Sequence, residues 1–457
     1  MVSSPPAITP IQSPNQSLTP ITTRTNTAGH LEIGGCDVLD LASQFGTPLY
    51  IVDEATLRQS CRLYRETLIQ TYPAPSQVLY ATKAWNCVAL CALVQQEGLG
   101  LDVASGGELY TALQAGAPGS DIYLHGNAKS DAELQMAVQQ GVTIVVNGLD
   151  ELQRLQQMAS QDPVRVMVRV NPGIDVHTHE YIRTGQVDSK FGVGLTQLQA
   201  VWDLLANSPQ LNLLGLHAHI GSQIFDLQGH RDLGSVMATL WQQTLDRGLQ
   251  PSELNVGGGL GVCHTQSDDP LPIPEWVEAV SQGVQSAFSE AKLPLPKLLC
   301  EPGRSLIGPT TITGYRVEGS KTIPATPERP QGRTYLMLDG GMSDNPRPIT
   351  YQAPYTAMVA NRPQDPPTQE VTLAGKHCES GDLIIQQAHL PNVERGDVVV
   401  VCATGAYNYS MASNYNRYPR PAAVLVREGQ ATVIVRRETY ADLVRQDVLP
   451  PHLQAEV

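Results

Sequence analysis

Three clusters of residues in this chain have types and spacings suited to chemistry on a bound small molecule. Lys83 closes the apolar run Tyr80-Ala81-Thr82-Lys83-Ala84-Trp85, and an amine at the mouth of a buried element is costly unless its charge or its nucleophilicity is used. A lysine that only extends its ammonium into water is the alternative for such a residue standing alone. Farther along, Gly257, Gly258, Gly259, Leu260 and Gly261 follow one another. Lacking side chains, they let backbone N–H groups approach an anion, although tight turns also need glycine for conformational reasons alone. Cys300, Glu301, Pro302, Gly303 and Arg304 then set a carboxylate beside a guanidinium, either to pair with each other or to face a ligand. An amine for Schiff-base attachment, a phosphate cradle and an acid that keeps a ring nitrogen protonated outline a pyridoxal phosphate site. In such a site the protonated ring is the electron sink for a carbanion.

The elements that must position these groups alternate in type. Between Tyr50 and Arg304 short β-rich runs are separated by amphipathic stretches, which predicts repeated βα units. The runs are Gln77–Ala81, Gly100–Val103, Ile122–His125, Thr143–Val146, Arg165–Val170, Leu213–His217, Glu253–Val256 and Lys297–Glu301, with helical patterns such as Glu108–Ala115, Ala132–Gln139, Leu149–Met158 and Ser235–Arg247 between them. Eight parallel strands suggest a (β/α)8 TIM-type barrel, with an open doubly wound sheet as the alternative by strand count. Polar or glycine-rich residues stand at seven of the eight run ends, where barrel chemistry gathers. The glycine run follows the seventh strand, a usual place for a barrel phosphate site.

After Leu306 short β-rich runs take over, among them Thr334–Leu338, Val371–Ala374, Asp397–Val401 and Ala431–Arg436. The expected division is a disordered tail over 1–29, an N-terminal segment of a β domain over 30–49, a barrel over 50–305 and a mainly β C-terminal domain over 306–457 that the N-terminal segment completes. The tail is expected from its Ser, Thr, Pro and Asn content, with Arg24 as its only charged side chain. The Pro-rich stretch 323–330 reads as an exposed loop.

With 30 Lys+Arg against 44 Asp+Glu and a net charge of -14, the electrostatic footprint for nucleic acid or an anionic membrane is missing. No run approaches the roughly 20 apolar residues of a membrane span. Eight cysteines without framework spacing suggest reduced thiols and a reducing, cytoplasmic compartment. Cys87 and Cys91, four apart in a helical pattern, read as core rather than metal ligands. His177 with His179, and His217 with His219, alternate like metal ligands, but no acidic or thiol set completes a site, so no metal is expected. Asp102 and Asn127 read as hydrogen-bonding scaffold at the mouth.

The runs YATKAW (80–85), HIGSQ (219–223), NVGGGLG (255–261) and CEPGRS (300–305) resemble the fold-type III pyridoxal-phosphate decarboxylases. In the second half LDGGMSDNPRPITY (338–351), GKHCESGDLI (375–384) and GAYNYSMASNYNRYPRP (405–421) are similar to the diaminopimelate-decarboxylating members. The resemblance implies an alanine-racemase-like barrel plus β domain, pyridoxal 5'-phosphate as cofactor, and conversion of meso-2,6-diaminopimelate to L-lysine and CO2. By the same resemblance Lys83 carries the cofactor, His219 stacks on its ring, Ser222 and the Gly259 region bind its phosphate, Gly303 contacts the cofactor, and Glu301 faces the ring nitrogen. Tyr407 contacts cofactor and substrate. Arg304, with a cofactor contact as well, joins Arg347 and Tyr351 in binding the distal carboxylate of the substrate, Glu379 its distal ammonium, and Cys378 donates the proton. In the family the Cys378-Glu379 pair comes from a second subunit, which implies a homodimer with shared sites. An Arg presents a planar fork suited to a carboxylate, so the SDNPRP run favours diaminopimelate over ornithine. A relative acting on ornithine, arginine or carboxynorspermidine, or a non-catalytic protein on the same fold, is the alternative. The chain departs from the pattern at Trp85 and Ala128, each in place of a usual Asn, which puts turnover rather than reaction type in question.

Overall fold

The computed structural model describes residues 13–159, 162–173, 190–327 and 332–454. They fall into two compact units. One contains residues 13–21 and Thr56–Thr310, the other Thr22–Ala55 and the chain from Thr311 onward.

The first unit is a closed barrel of eight parallel strands: β1 (Ser76–Ala81), β2 (Gly100–Val103), β3 (Ile122–Leu124), β4 (Thr143–Val146), β5 (Val164–Arg169), β6 (Leu211–His217), β7 (Glu253–Asn255) and β8 (Lys297–Cys300). Strands buried on both faces read as continuous apolar runs rather than alternating ones, and Thr143–Val146 (TIVV) is buried at every position. Leu79, Tyr123, Val145, Met167 and Leu299 meet in one interior cluster, so the barrel is filled and not a pore. At the N-terminal ends Tyr123 donates to Glu253 Oε2 at 2.8 Å and Lys297 Nζ donates to Glu253 Oε1 at 3.0 Å, which closes the end away from the chemistry.

Local signals place the helices. Ser130 and Glu133 form a reciprocal capping box at the start of Asp131–Gln139, satisfying N–H groups that a helix leaves unpaired. Glu133 also accepts the Gly106 N–H at 2.7 Å, tying this helix to the preceding one, Gly106–Gln114. The helix expected over 235–247 starts earlier and spans Gln228–Leu245. Cys91 is buried on the helix Val88–Gln96 and Cys87 caps it.

The second unit is a β domain with a nine-stranded sheet. Its long strand Thr311–Ile323 runs antiparallel to Leu49–Asp53, which lies parallel to Ala422–Arg427. All five residues of Leu49–Asp53 are buried, so this strand, most of which the boundary at 50 assigned to the barrel, belongs to the β domain's interior. The strand-like reading of 30–50 also missed a helix, Val38–Phe45. Asp37 caps it by accepting the Leu39 N–H at 2.8 Å, and Val38, Leu41 and Ala42 face the core.

The tail expected over 1–29 is ordered in its described part. Ser13, Pro14 and Asn15 are buried, and Arg24–Thr25 pairs with Leu31–Ile33. Polar composition misled because these Ser and Asn side chains bond buried backbone groups instead of water. Of the expected Pro-rich loop, residues 325–327 are exposed and 328–330 lie outside the described residues, as do His177 and His179. Among the described residues no helix is long and apolar enough to cross a membrane.

Gly215 sits in β6 opposite Glu253. A Cβ there would stand 1.6 Å from the Glu253 carbonyl oxygen, whereas one at Gly319 would meet nothing within 4 Å. Gly215→Ala is therefore expected to lower stability by roughly 1–3 kcal/mol or more, and Gly319→Ala to change it by less than about 0.5 kcal/mol. Denaturant melts of both variants check this, and equal effects contradict it.

Candidate active site

The turn after β1 is a short 3-10 helix, Thr82–Ala84, in which Lys83 is exposed while Thr82, Ala84 and Trp85 are buried. Trp85 is fully buried and its carbonyl accepts from Tyr80 at 2.9 Å. Thr82 donates to Glu108 Oε2 at 3.1 Å, and Glu108 also accepts the Ala104 N–H at 2.7 Å. The lysine is thus presented from a turn anchored on both sides, and the unusual Trp85 is part of that anchor.

Across the same end of the barrel lies a buried polar cluster around Glu301, just past β8. His217 Nε2 lies 3.0 Å from Glu301 Oε2, His125 Nε2 lies 2.8 Å from Oε1, and Asn255 Nδ2 donates to Oε1 at 2.6 Å. Burial alone would raise the Glu301 pKa, but the two histidines hold it well below the usual carboxylate range. Burial pushes His217 down to about 4, so its ring is neutral and donates as an N–H. Asp102, 3.6 Å from His125, is pushed up to about 7, mainly by burial and then, against the pull of His125, by the Glu301 charge. The two carboxyls therefore differ in state, with Glu301 the permanent anion. His125, His217 and Glu301 have the composition of a metal set, yet the imidazole nitrogens lie 2.8 and 3.0 Å from the carboxylate oxygens, closer than the roughly 3.3 Å between ligands sharing one tetrahedral ion.

Beside this acid runs the glycine segment that follows β7. Gly257 has φ 69° and a Cβ there would stand 2.6 Å from His219 Nδ1. At Gly258 a Cβ would stand 2.2 Å from the Glu301 carbonyl oxygen. Only glycine lets this segment pass between the ends of β6 and β8. His219 Nδ1 accepts the Gly258 N–H at 3.2 Å, and burial, then repulsion from Lys83, drives the His219 pKa well below normal. Arg304 does not pair with Glu301. Its Nε and Nη2 donate to Ser222 Oγ at 3.3 and 3.1 Å. Gly303 packs with its Cα against Ala81, where a Cβ would come within 3.1 Å. An amine, a buried anion and a hydroxyl–guanidinium–glycine group fit the aldehyde, the protonated ring nitrogen and the phosphate of pyridoxal phosphate.

In the β domain, Arg347 opens the short helix Arg347–Tyr351 and is buried. Its guanidinium stands 5.4 Å from the Tyr351 ring centroid and 5.7 Å from that of Tyr407, so these three residues come together. Tyr407 has φ 63°, a conformation costly for a bulky residue and typical of functional sites. Cys378 and Glu379 are exposed on the loop 376–381. Asp382 anchors that loop, accepting the N–H of His377 at 2.9 Å and of Met342 at 2.6 Å and meeting His377 Nδ1 at 2.8 Å. The Cys378 N–H donates to Asn416 at 2.9 Å.

The residues that sequence reading did not assign are His125, His217 and Asn255, the partners of Glu301. Their signal was position, since each ends or follows a barrel strand. Asp102 and Asn127 were read as scaffold, and Asn127 donates to the Lys190 carbonyl at 2.9 Å.

Over residues 54–308 the chain matches the family described as pyridoxal-dependent decarboxylase, pyridoxal binding domain. The chain is 53% identical over 451 residues to the diaminopimelate decarboxylase of Synechocystis, covering 96% of this chain and 95% of that one. It is 44% identical to that of Bacillus subtilis, covering 93% and 97%. A crystal structure of diaminopimelate decarboxylase from M. jannaschii in complex with L-lysine superposes with a TM-score of 0.86 at 30% identity, covering 95% of this chain and 99% of that chain. The chain belongs to the diaminopimelate decarboxylases of the pyridoxal-dependent decarboxylase family.

Behind the glycine segment His230 is buried edge-on to Trp276, with ring centroids 5.2 Å apart. Burial lowers its pKa to about 4. Between about 6.5, the unfolded value, and 4 the unfolded chain binds a proton that the folded one refuses, so stability is full above that window and falls as pH drops through it. His230→Asn is expected to flatten the pH dependence of urea midpoints in this window, by up to about 1.4 kcal/mol per pH unit. An unchanged slope contradicts a neutral buried His230.

Proposed function

We propose that this chain converts meso-2,6-diaminopimelate to L-lysine and CO2 with its residues acting in the roles their chemistry suggests. The carrying observation is the buried, ionised Glu301 at the same barrel mouth as the exposed Lys83. Bound pyridoxal phosphate supplies the electron sink for the pair released when the carbon–carboxylate bond breaks.

Lys83 is the amine for covalent attachment of the cofactor. Glu301 would keep the ring nitrogen protonated, since a buried anion facing that nitrogen favours its protonated form. His219, held neutral, offers an uncharged ring face for stacking. Ser222, Gly259, Gly303 and Arg304 receive the phosphate. Arg304 bonding to Ser222 favours this side of the site for it, while Arg347 and Tyr351 take the distal carboxylate of the substrate beside Tyr407. Glu379 takes the distal ammonium. The Cys378 thiol gives its proton to the carbon that CO2 leaves and recovers one from solvent.

The protein acts as a homodimer in which Cys378 and Glu379 serve the partner's site. Their exposure on the loop 376–381 supports that reading. Among the described residues all eight cysteines are free thiols, which favours a reducing compartment, the cytoplasm.

Lys83→Ala is expected to abolish both turnover and the visible absorbance of bound cofactor. Cys378→Ala should keep that absorbance and lose roughly 10²-fold or more in kcat. Arg347→Met should raise KM for diaminopimelate roughly tenfold or more with cofactor retained. Steady-state assays with absorbance spectra decide, and turnover by Lys83→Ala contradicts the mechanism.

A further inference from the structure

The segment 13–16 braces the barrel on the side assigned to phosphate. Asn15 is fully buried, and its Nδ2 donates to the carbonyl oxygens of Gly261 at 3.2 Å and Leu271 at 2.7 Å. Its own carbonyl accepts the Cys263 N–H at 3.0 Å. Ser13 donates to Asn15 Oδ1 at 2.7 Å and accepts the N–H of Ile273, the first residue of the helix Ile273–Glu290, at 3.1 Å. The same turn, Pro14–Gln16, lies beside Arg304–Ile307, the element whose first residue bonds Ser222. From the other direction the Gly259 carbonyl accepts the Ile224 N–H at 3.0 Å and the Gly261 N–H donates to Ile224 at 3.1 Å. The glycine segment is thus held between the loop that carries Ser222 and a strap that also touches the Arg304 turn.

We infer that Asn15 is a positioning residue for the cofactor's phosphate: with Ser13 it sets the spacing between the 257–261 segment and the Arg304 turn. This rests on the phosphate assignment made under Proposed function. Without the strap the Gly261 and Leu271 carbonyls lose their donor, and the far end of a glycine segment is left held from the Ile224 side alone.

A merely structural brace and a phosphate-positioning one differ in what they do to ligands with and without that phosphate. Apoprotein of wild type and Asn15→Ala is titrated separately with pyridoxal phosphate and with pyridoxal, following absorbance, with melting midpoints recorded alongside. The strap predicts that Asn15→Ala weakens pyridoxal phosphate binding roughly tenfold and pyridoxal binding less than about twofold. KM for diaminopimelate at saturating cofactor stays unchanged. Equal weakening of both ligands, or no weakening of either, overturns the inference. Should Asn15→Ala not fold, Ser13→Ala carries the same comparison with an expected loss of roughly threefold for the phosphorylated ligand alone. Wild-type protein that binds no pyridoxal phosphate would instead overturn the functional reading itself.

Discussion

A carboxylate removed from water is tolerated only where fixed donors meet its charge, and the arrangement of this barrel's mouth follows from satisfying Glu301. Its oxygens are met from the ends of β6 and β7 and from the residue after β3, by His217, Asn255 and His125. The donors are His217 and Asn255, and neutrality of the buried His217 lets it donate without adding a second charge. Placed among apolar strands, such an anion attracts a cation, and a protonated ring nitrogen is the cation that the family's cofactor brings.

The rest of the barrel keeps that arrangement in place. The interior cluster of Leu79, Tyr123, Val145, Met167 and Leu299 fixes the strands, and the Tyr123–Glu253–Lys297 contacts tie β3, β7 and β8 at the opposite end. Strand ends therefore hold their side chains to within hydrogen-bond tolerances. Gly257 and Gly258 take the one path open between His219 and the Glu301 backbone, so the glycine segment and the buried acid are built on the same few residues. In the β domain Asp382 plays an analogous part by tying the loop of Cys378 to Met342 in the run that carries Arg347.

Much of this was legible in the sequence because periodicity and motif position carry it. All eight barrel strands appear where the β-rich runs were read, with bounds moved by at most two residues. What composition and periodicity misjudged were segments whose stability comes from distant partners. Ser13 and Asn15 look like tail residues until their partners more than 240 positions away are in view, and the boundary at 50 put most of Leu49–Asp53 in the barrel although its pairing partners begin at Thr311 and Ala422. Asp37 could have signalled the missed helix Val38–Phe45, since a capping acid precedes an i, i+3, i+4 apolar pattern there. The neighbours of Glu301 were hidden for another reason: His125, His217 and Asn255 meet only once the barrel closes.

The central claim is that this site decarboxylates diaminopimelate, and CO2 release tests it most directly. Purified protein loaded with pyridoxal phosphate is given meso-diaminopimelate, L-ornithine and L-arginine in parallel, and the amino-acid product is identified. The account predicts CO2 from meso-diaminopimelate with L-lysine as product and little from the other two. Release from ornithine or arginine alone would contradict the assignment of Arg347 and Tyr351 to a distal carboxylate, and release from none would contradict the enzyme.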